Sequence, residues 1–108
     1  MLNKTALSVS LLTALVCTNG AALAAEHEVG QKNKQFTKKE LTISVGDTVS
    51  FPNHDPFFHN VFSLSEVKTF DLGSYPKGET KKIVFESAGK IDVECAIHPN
   101  MQMTINVK

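Results

Sequence analysis

The chain has 108 residues, no formal net charge and two cysteines. That length holds one domain rather than two. Eleven basic residues, all lysine, balance eleven acidic ones, and no basic run interleaves with aromatics, which excludes a nucleic-acid-binding surface.

The amino-terminal stretch reads as a secretory signal. Lys4 supplies the positive n-region, residues 6–16 a short apolar segment, and Ala22-Leu23-Ala24 the small residues a signal peptidase reads. The apolar run is too short for a bilayer span and lacks a stop-transfer flank, so no stable membrane insertion is expected. A lipoprotein site at Cys17 is disfavoured because Val16 is too large for the position before a lipidated cysteine. The expected division is a cleaved signal over residues 1–24 and one domain over 25–108. Cleavage removes Cys17, so Cys95 is left without an intrachain disulfide partner. A small exported domain with one thiol suggests a metal staple.

The mature sequence is a series of short alternating runs. Leu41, Ile43 and Val45 alternate with polar residues, Gly46-Asp47 interrupts, and Val49 and Phe51 resume, which predicts a hairpin. The next segment, 52–56, is a polar loop. Residues 58–64 are apolar at nearly every position, as in a strand buried on both faces. Gly73, Pro76 and Gly78 mark a loop. Ile83 and Phe85 restart alternation and Ala88-Gly89 ends it. Ile91, Val93 and Cys95 then share one face, with Asp92 and Glu94 on the other. Met103, Ile105 and Val107 form a last apolar face. No window sustains a helical period. The expectation is an all-β domain, a sandwich or barrel.

The chemistry is concentrated in Cys95-Ala96-Ile97-His98-Pro99-Asn100-Met101. A thiolate, an imidazole and a thioether fall within seven residues. Pro99 has no N–H to give to a ladder, so the segment is a tight loop at a strand end. Upstream, His59-Asn60 borders the apolar strand. Two imidazoles, one thiolate and one weak thioether are the ligand set of a blue-copper electron-transfer site. His54 competes with His59 but sits in the polar loop Asn53-His54-Asp55, where a solvated histidine is ordinary. Met103 competes with Met101 but falls in phase with Ile105 and Val107, as a core-facing strand residue would. If cleavage follows Ala24, the new terminus Ala25-Glu26-His27 could also bind Cu(II) in a square-planar site. Phe57 and Phe58 read as loop-to-core packing, and the pairs Lys38-Lys39 and Lys81-Lys82 as solvated faces able to steer an acidic partner.

His59-Asn60 followed by Cys-x-x-His-Pro-x-Met resembles the cupredoxins, the type 1 blue-copper family, and within it the amicyanin-like and plastocyanin-like members. Residues 45–53, Tyr75-Pro76-Lys77-Gly78-Glu79 and Glu86-Ser87-Ala88-Gly89 extend the likeness over nearly all of the mature chain. The resemblance implies a single-domain Greek-key β-sandwich. It implies one copper ion cycling between Cu(I) and Cu(II), with His59, Cys95, His98 and Met101 as ligands. Asn60 would tie the two ligand loops together. The implied role is a monomeric, periplasmic one-electron carrier that is not an enzyme. It would meet a dehydrogenase or a cytochrome transiently. Ile91, where relatives often carry an aromatic, and Glu94, directly before the cysteine, depart from the family pattern. The second reading is a copper chaperone or scavenger on the same scaffold, with His27 and His54 as the residues that favour it.

Overall fold

The computed structural model describes residues 23–108. Cys17 and the signal read over residues 1–24, apart from Leu23 and Ala24, lie outside the described residues. Ten strands follow in chain order: β1 Glu26–Glu28, β2 Gln31–Lys32, β3 Gln35–Phe36, β4 Glu40–Ile43, β5 Thr48–Pro52, β6 His59–Ser63, β7 Phe70–Tyr75, β8 Thr80–Val84, β9 Gly89–Glu94 and β10 Gln102–Val107. The described residues contain no helix.

The strands form a sandwich of two sheets. One has the order β1-β5-β8, the other β4-β10-β9-β6-β7, and β2 and β3 make a small separate hairpin. Alternation in β9 and β10 places Ile91, Val93, Met103, Ile105 and Val107 inside, where Val49, Phe51 and Phe85 of the opposite layer meet them. Val93 stands opposite Met103, and Ile91 opposite Ile105. Phe51 meets Phe36 edge-to-face, which brings the β2–β3 hairpin onto the core.

Four elements differ from the sequence reading. β4 and β5 do not form a hairpin: β4 pairs in parallel with β10, and β5 pairs with β1 and β8 in the other sheet. The Ser44–Asp47 turn carries the chain across. The Asp47 side chain accepts the Ser44 N–H, and Gly46 takes φ +95°, where a side chain would be strained. Residues 58–64 are not buried on both faces. His59, Val61 and Ser63 are fully inside, Asn60 and Phe62 are half-covered, and Phe58 and Leu64 are 52% and 73% exposed. Phe58 therefore does not pack into the core. Gly73 lies within β7, not in a loop. The β6–β7 register shifts between Asn60 and Phe62, and Gly73 at φ +77° fits that irregularity.

The three strands β1–β3 carry no clear alternation, but the fold uses them all. β1 runs parallel to β5, with His27 opposite Val49. Asp47 holds its start, accepting the Ala25 N–H and lying 2.9 Å from His27 Nε2. Those contacts, the Ala25 N–H first, lower the Asp47 carboxyl to about 2.

Candidate metal centre

β6 and β9 are neighbours in the five-stranded sheet, with Phe62 opposite Glu94. This places the start of β6 beside the loop that follows β9. His59 enters from β6, and Cys95 and His98 from the loop. Ligand atoms of His59, Cys95 and His98 all lie within 4.8 Å of one another. His59 Nδ1 is 3.8 Å from Cys95 Sγ and 3.1 Å from His98 Nδ1. Donors each roughly 2.0–2.3 Å from a shared ion stand about 3–4 Å apart, so the spacing suits one metal. His59 and Cys95 are buried, while His98 is partly exposed.

The loop folds back on itself to make this possible. Cys95 N–H donates to the Met101 carbonyl and Met101 N–H to the His98 carbonyl. Met101 is buried at the loop's end, its backbone held against Cys95 and His98. Met103 is one strand step further on, facing Val93 and the core. Asn60 links the two ligand segments. Its backbone N–H points at Cys95 Sγ at 3.4 Å, its Oδ1 accepts the Ala96 N–H, and its Nδ2 donates to Asp71. Phe57 roofs the pair of imidazoles, its ring 5.3 Å from His59 and 5.4 Å from His98 between centroids.

His54 does not join the cluster. It is exposed, with its ring packed against Gly30. Ala25 N and the His27 ring, two donors of the amino-terminal copper alternative, are both engaged by Asp47.

Asp55 is the residue that sequence reasoning missed. It is buried, and its Oδ2 lies 2.6 Å from His59 Nε2. A carboxylate there accepts the Nε2 proton, so Nδ1 carries a free lone pair aimed at Cys95 and His98. Asp55 also accepts the N–H groups of Asn33 and Lys34 at the tip of the β2–β3 hairpin. Burial alone would raise its carboxyl, but the hydrogen bonds from His59, Lys34 and Asn33 prevail and lower it. Asn53 sets the loop. Its Oδ1 accepts the Asp55 N–H, and its Nδ2 donates to the Phe57 and Tyr75 carbonyls. The available signal was an acid four residues before the histidine, with Pro56 fixing the turn between them.

At the other imidazole, burial first, then the repulsion that a second protonated imidazole at His59 and the Lys34 ammonium would exert on its cation, hold His98 below its usual pKa. The neutral imidazole is the form able to bind a metal. A soft thiolate with two neutral imidazoles, and a thioether residue at the loop's end, is a donor set suited to copper in both its oxidation states.

The comparisons agree with this chemistry. The family model described as copper binding proteins, plastocyanin/azurin family, matches residues 23–108. The methylamine utilization protein MauL of Methylorubrum extorquens is 36% identical over 104 residues, covering 94% of this chain and 90% of the relative. A Cu(I) structure of amicyanin with one methionine changed to alanine superposes with a TM-score of 0.70 at 26% identity, over 75% of this chain and 80% of that one. A copper-containing nitrite reductase from Thermus scotoductus reaches 0.71 at 27% identity, over 89% of this chain but only 25% of the reductase. The chain belongs to the plastocyanin/azurin family of copper-binding proteins.

Proposed function

We propose that this copper protein, a one-electron carrier and not an enzyme, holds a single ion with His59, Cys95, His98 and Met101. The observation that carries the reading is the convergence of His59 Nδ1, Cys95 Sγ and His98 Nδ1 at one end of a rigid sandwich. The ion supplies the Cu(I)/Cu(II) couple. Asp55 and Asn60 keep the ligand residues in one arrangement, so little has to reorganise when the charge changes. Met101, rather than Met103, would supply the thioether, a reading supported by its burial at the loop's end and by the in-strand position of Met103. Of the residues that would hold the ion, His98 is the partly exposed one, and its edge would be the route by which electrons enter and leave.

Residues 1–24 are read as a cleaved secretory signal and residues 25–108 as the working domain, exported to the periplasm. Cleavage after Ala24 would turn the Ala25 N–H beside Asp47 into an ammonium in the same position. The partner is a dehydrogenase or a cytochrome, met transiently by a monomer through a small contact.

Visible absorption and EPR of the copper-loaded protein test the site. An intense thiolate-to-copper band, lost in Cys95→Ser and His59→Ala but kept in His54→Ala, is expected. A pale protein with ordinary square-planar Cu(II) signals would instead favour copper handling at the amino terminus.

A further inference from the structure

The end of the sandwich that carries the centre is unevenly charged. Four of the ten residues from 31 to 40 are lysine, namely Lys32, Lys34, Lys38 and Lys39, and all four are exposed. This stretch is fastened to the centre by the Asn33 and Lys34 N–H bonds to Asp55. A cleft of about 460 Å³ opens beside His98, walled by Lys34, Lys39, Ile97 and Pro99, and no carboxylate lines it. The Lys34 ammonium stands 5.6 Å from the Phe57 ring centroid, and that ring leans on His98. Ile97, at the rim, is 48% exposed.

The charge reverses on the other side of Lys39. There a second cleft, about 470 Å³, has Asp92 and Glu94 in its wall. Both belong to β9, on the outer face of the five-stranded sheet. Positive and negative surfaces thus adjoin at Lys39, which lines both clefts, and His98 lines the first.

Resting on the electron-carrier reading, we propose that the Lys34–Lys39 cleft, with Ile97 and His98 at its edge, docks a redox protein that rings its own electron-transfer edge with carboxylates. Exposed charges contribute little to tight binding. They act on encounter and orientation over about a Debye length, roughly 8–10 Å at physiological salt. Lys34 and Lys39 attract the acidic ring, and Asp92 and Glu94 repel it. A partner attracted by the first pair and repelled by the second is turned towards His98. Ile97 supplies the apolar contact that a brief encounter needs, and neither Lys34 nor Lys39 forms an ion pair among the described residues.

Stopped-flow electron transfer to the Cu(II) protein tests this, with reduced cytochrome b5 as the acidic donor and reduced mitochondrial cytochrome c as the basic one. The cytochrome b5 rate should fall with added salt. With blue colour retained and the rate compared at equal driving force from each variant's measured potential, it should drop about tenfold in Lys34→Glu/Lys39→Glu, within the range electrostatic steering provides. Asp92→Lys/Glu94→Lys should leave that rate equal or higher. A cytochrome b5 rate indifferent to the lysine pair, or slowed by the acidic pair's reversal, overturns the proposal. The surface is also mapped without metal, by titrating the 15N-labelled apoprotein with cytochrome b5. Amide shifts gathered at residues 34, 39, 97 and 98 support it, and shifts gathered at 92 and 94 overturn it. Failure to form a blue site would instead bring down the electron-carrier reading, whatever the titration shows.

Discussion

Asp55 and His59 are joined through a carboxylate oxygen 2.6 Å from Nε2, with both side chains buried. The carboxylate fixes the tautomer and makes the imidazole a stronger donor to a cation at Nδ1. Asp55→Asn keeps an acceptor of the same shape but removes the charge. The reduction potential should rise, because the oxidised, more positive ion loses more than the reduced one. Asp55→Ala should weaken copper binding by about 10- to 100-fold, the usual effect of losing an outer partner. Voltammetry and chelator competition measure the two effects. An unchanged potential in Asp55→Asn would show that the carboxylate serves only the hairpin.

Asn60 has one job on each side of strand β6. Its Oδ1 holds the ligand loop at Ala96 while its Nδ2 reaches Asp71 on β7. Asn60→Ala removes both hydrogen bonds and should destabilise the apoprotein by about 1–2 kcal/mol. Urea unfolding gives the number. The copper EPR signal should broaden as well, since the Cys95–Met101 loop is then held by fewer ties.

Asp47 makes stability depend on acidity. Its carboxyl is lowered to about 2 in the folded protein by the Ala25 N–H, then His27, then the Ser44 N–H. A lowered carboxyl contributes stability above its unfolded value, near 3.9. That contribution is lost as pH falls from about 4 towards 2. Urea midpoints should therefore drop across that window in the wild type and drop less in Asp47→Asn. Parallel curves for the two proteins would assign the acid sensitivity elsewhere.

Gly89 opens β9 at φ +143°, and a Cβ there would come within 2.7 Å of Val67 Cγ2. Gly89→Ala should lower stability by about 1–3 kcal/mol, the usual range for overpacking. Adding Val67→Ala should restore the part due to the clash and leave the part due to backbone strain. Thermal unfolding of the two single variants and the double variant separates them.

Much of the fold was legible because several strands alternate cleanly. Ile91 and Val93 against Met103 and Ile105 needed nothing beyond period two. β7 was hidden because its bulge at Gly73 breaks that period. β1–β3 were hidden because they are two or three residues long and mostly polar, ordered by Asp47, Phe51 and Asp55 from elsewhere in the chain. The Val45-to-Val49 run looked like a hairpin because local pattern does not reveal that Val45 N–H pairs with Lys108 and Gly46 N–H with Phe85. At the centre, the loop residues Cys95 and His98 were visible from spacing, and His59 from its strand. Asp55 was not, because an acid in a polar loop is ordinary until folding buries it.

β10, the last strand, lies between β4 and β9 and completes the five-stranded sheet. Its pairing with β4 spans more than half the chain, Glu40 meeting Thr104. Such distant pairing forms slowly and cannot begin until the final residues are available. A chain delivered amino terminus first therefore has no closed sheet, and no ordered Cys95–Met101 loop, until its tail arrives. The site is thus assembled last, and a chain cut short before β10 lacks the ordered loop that gathers Cys95 and His98 beside His59.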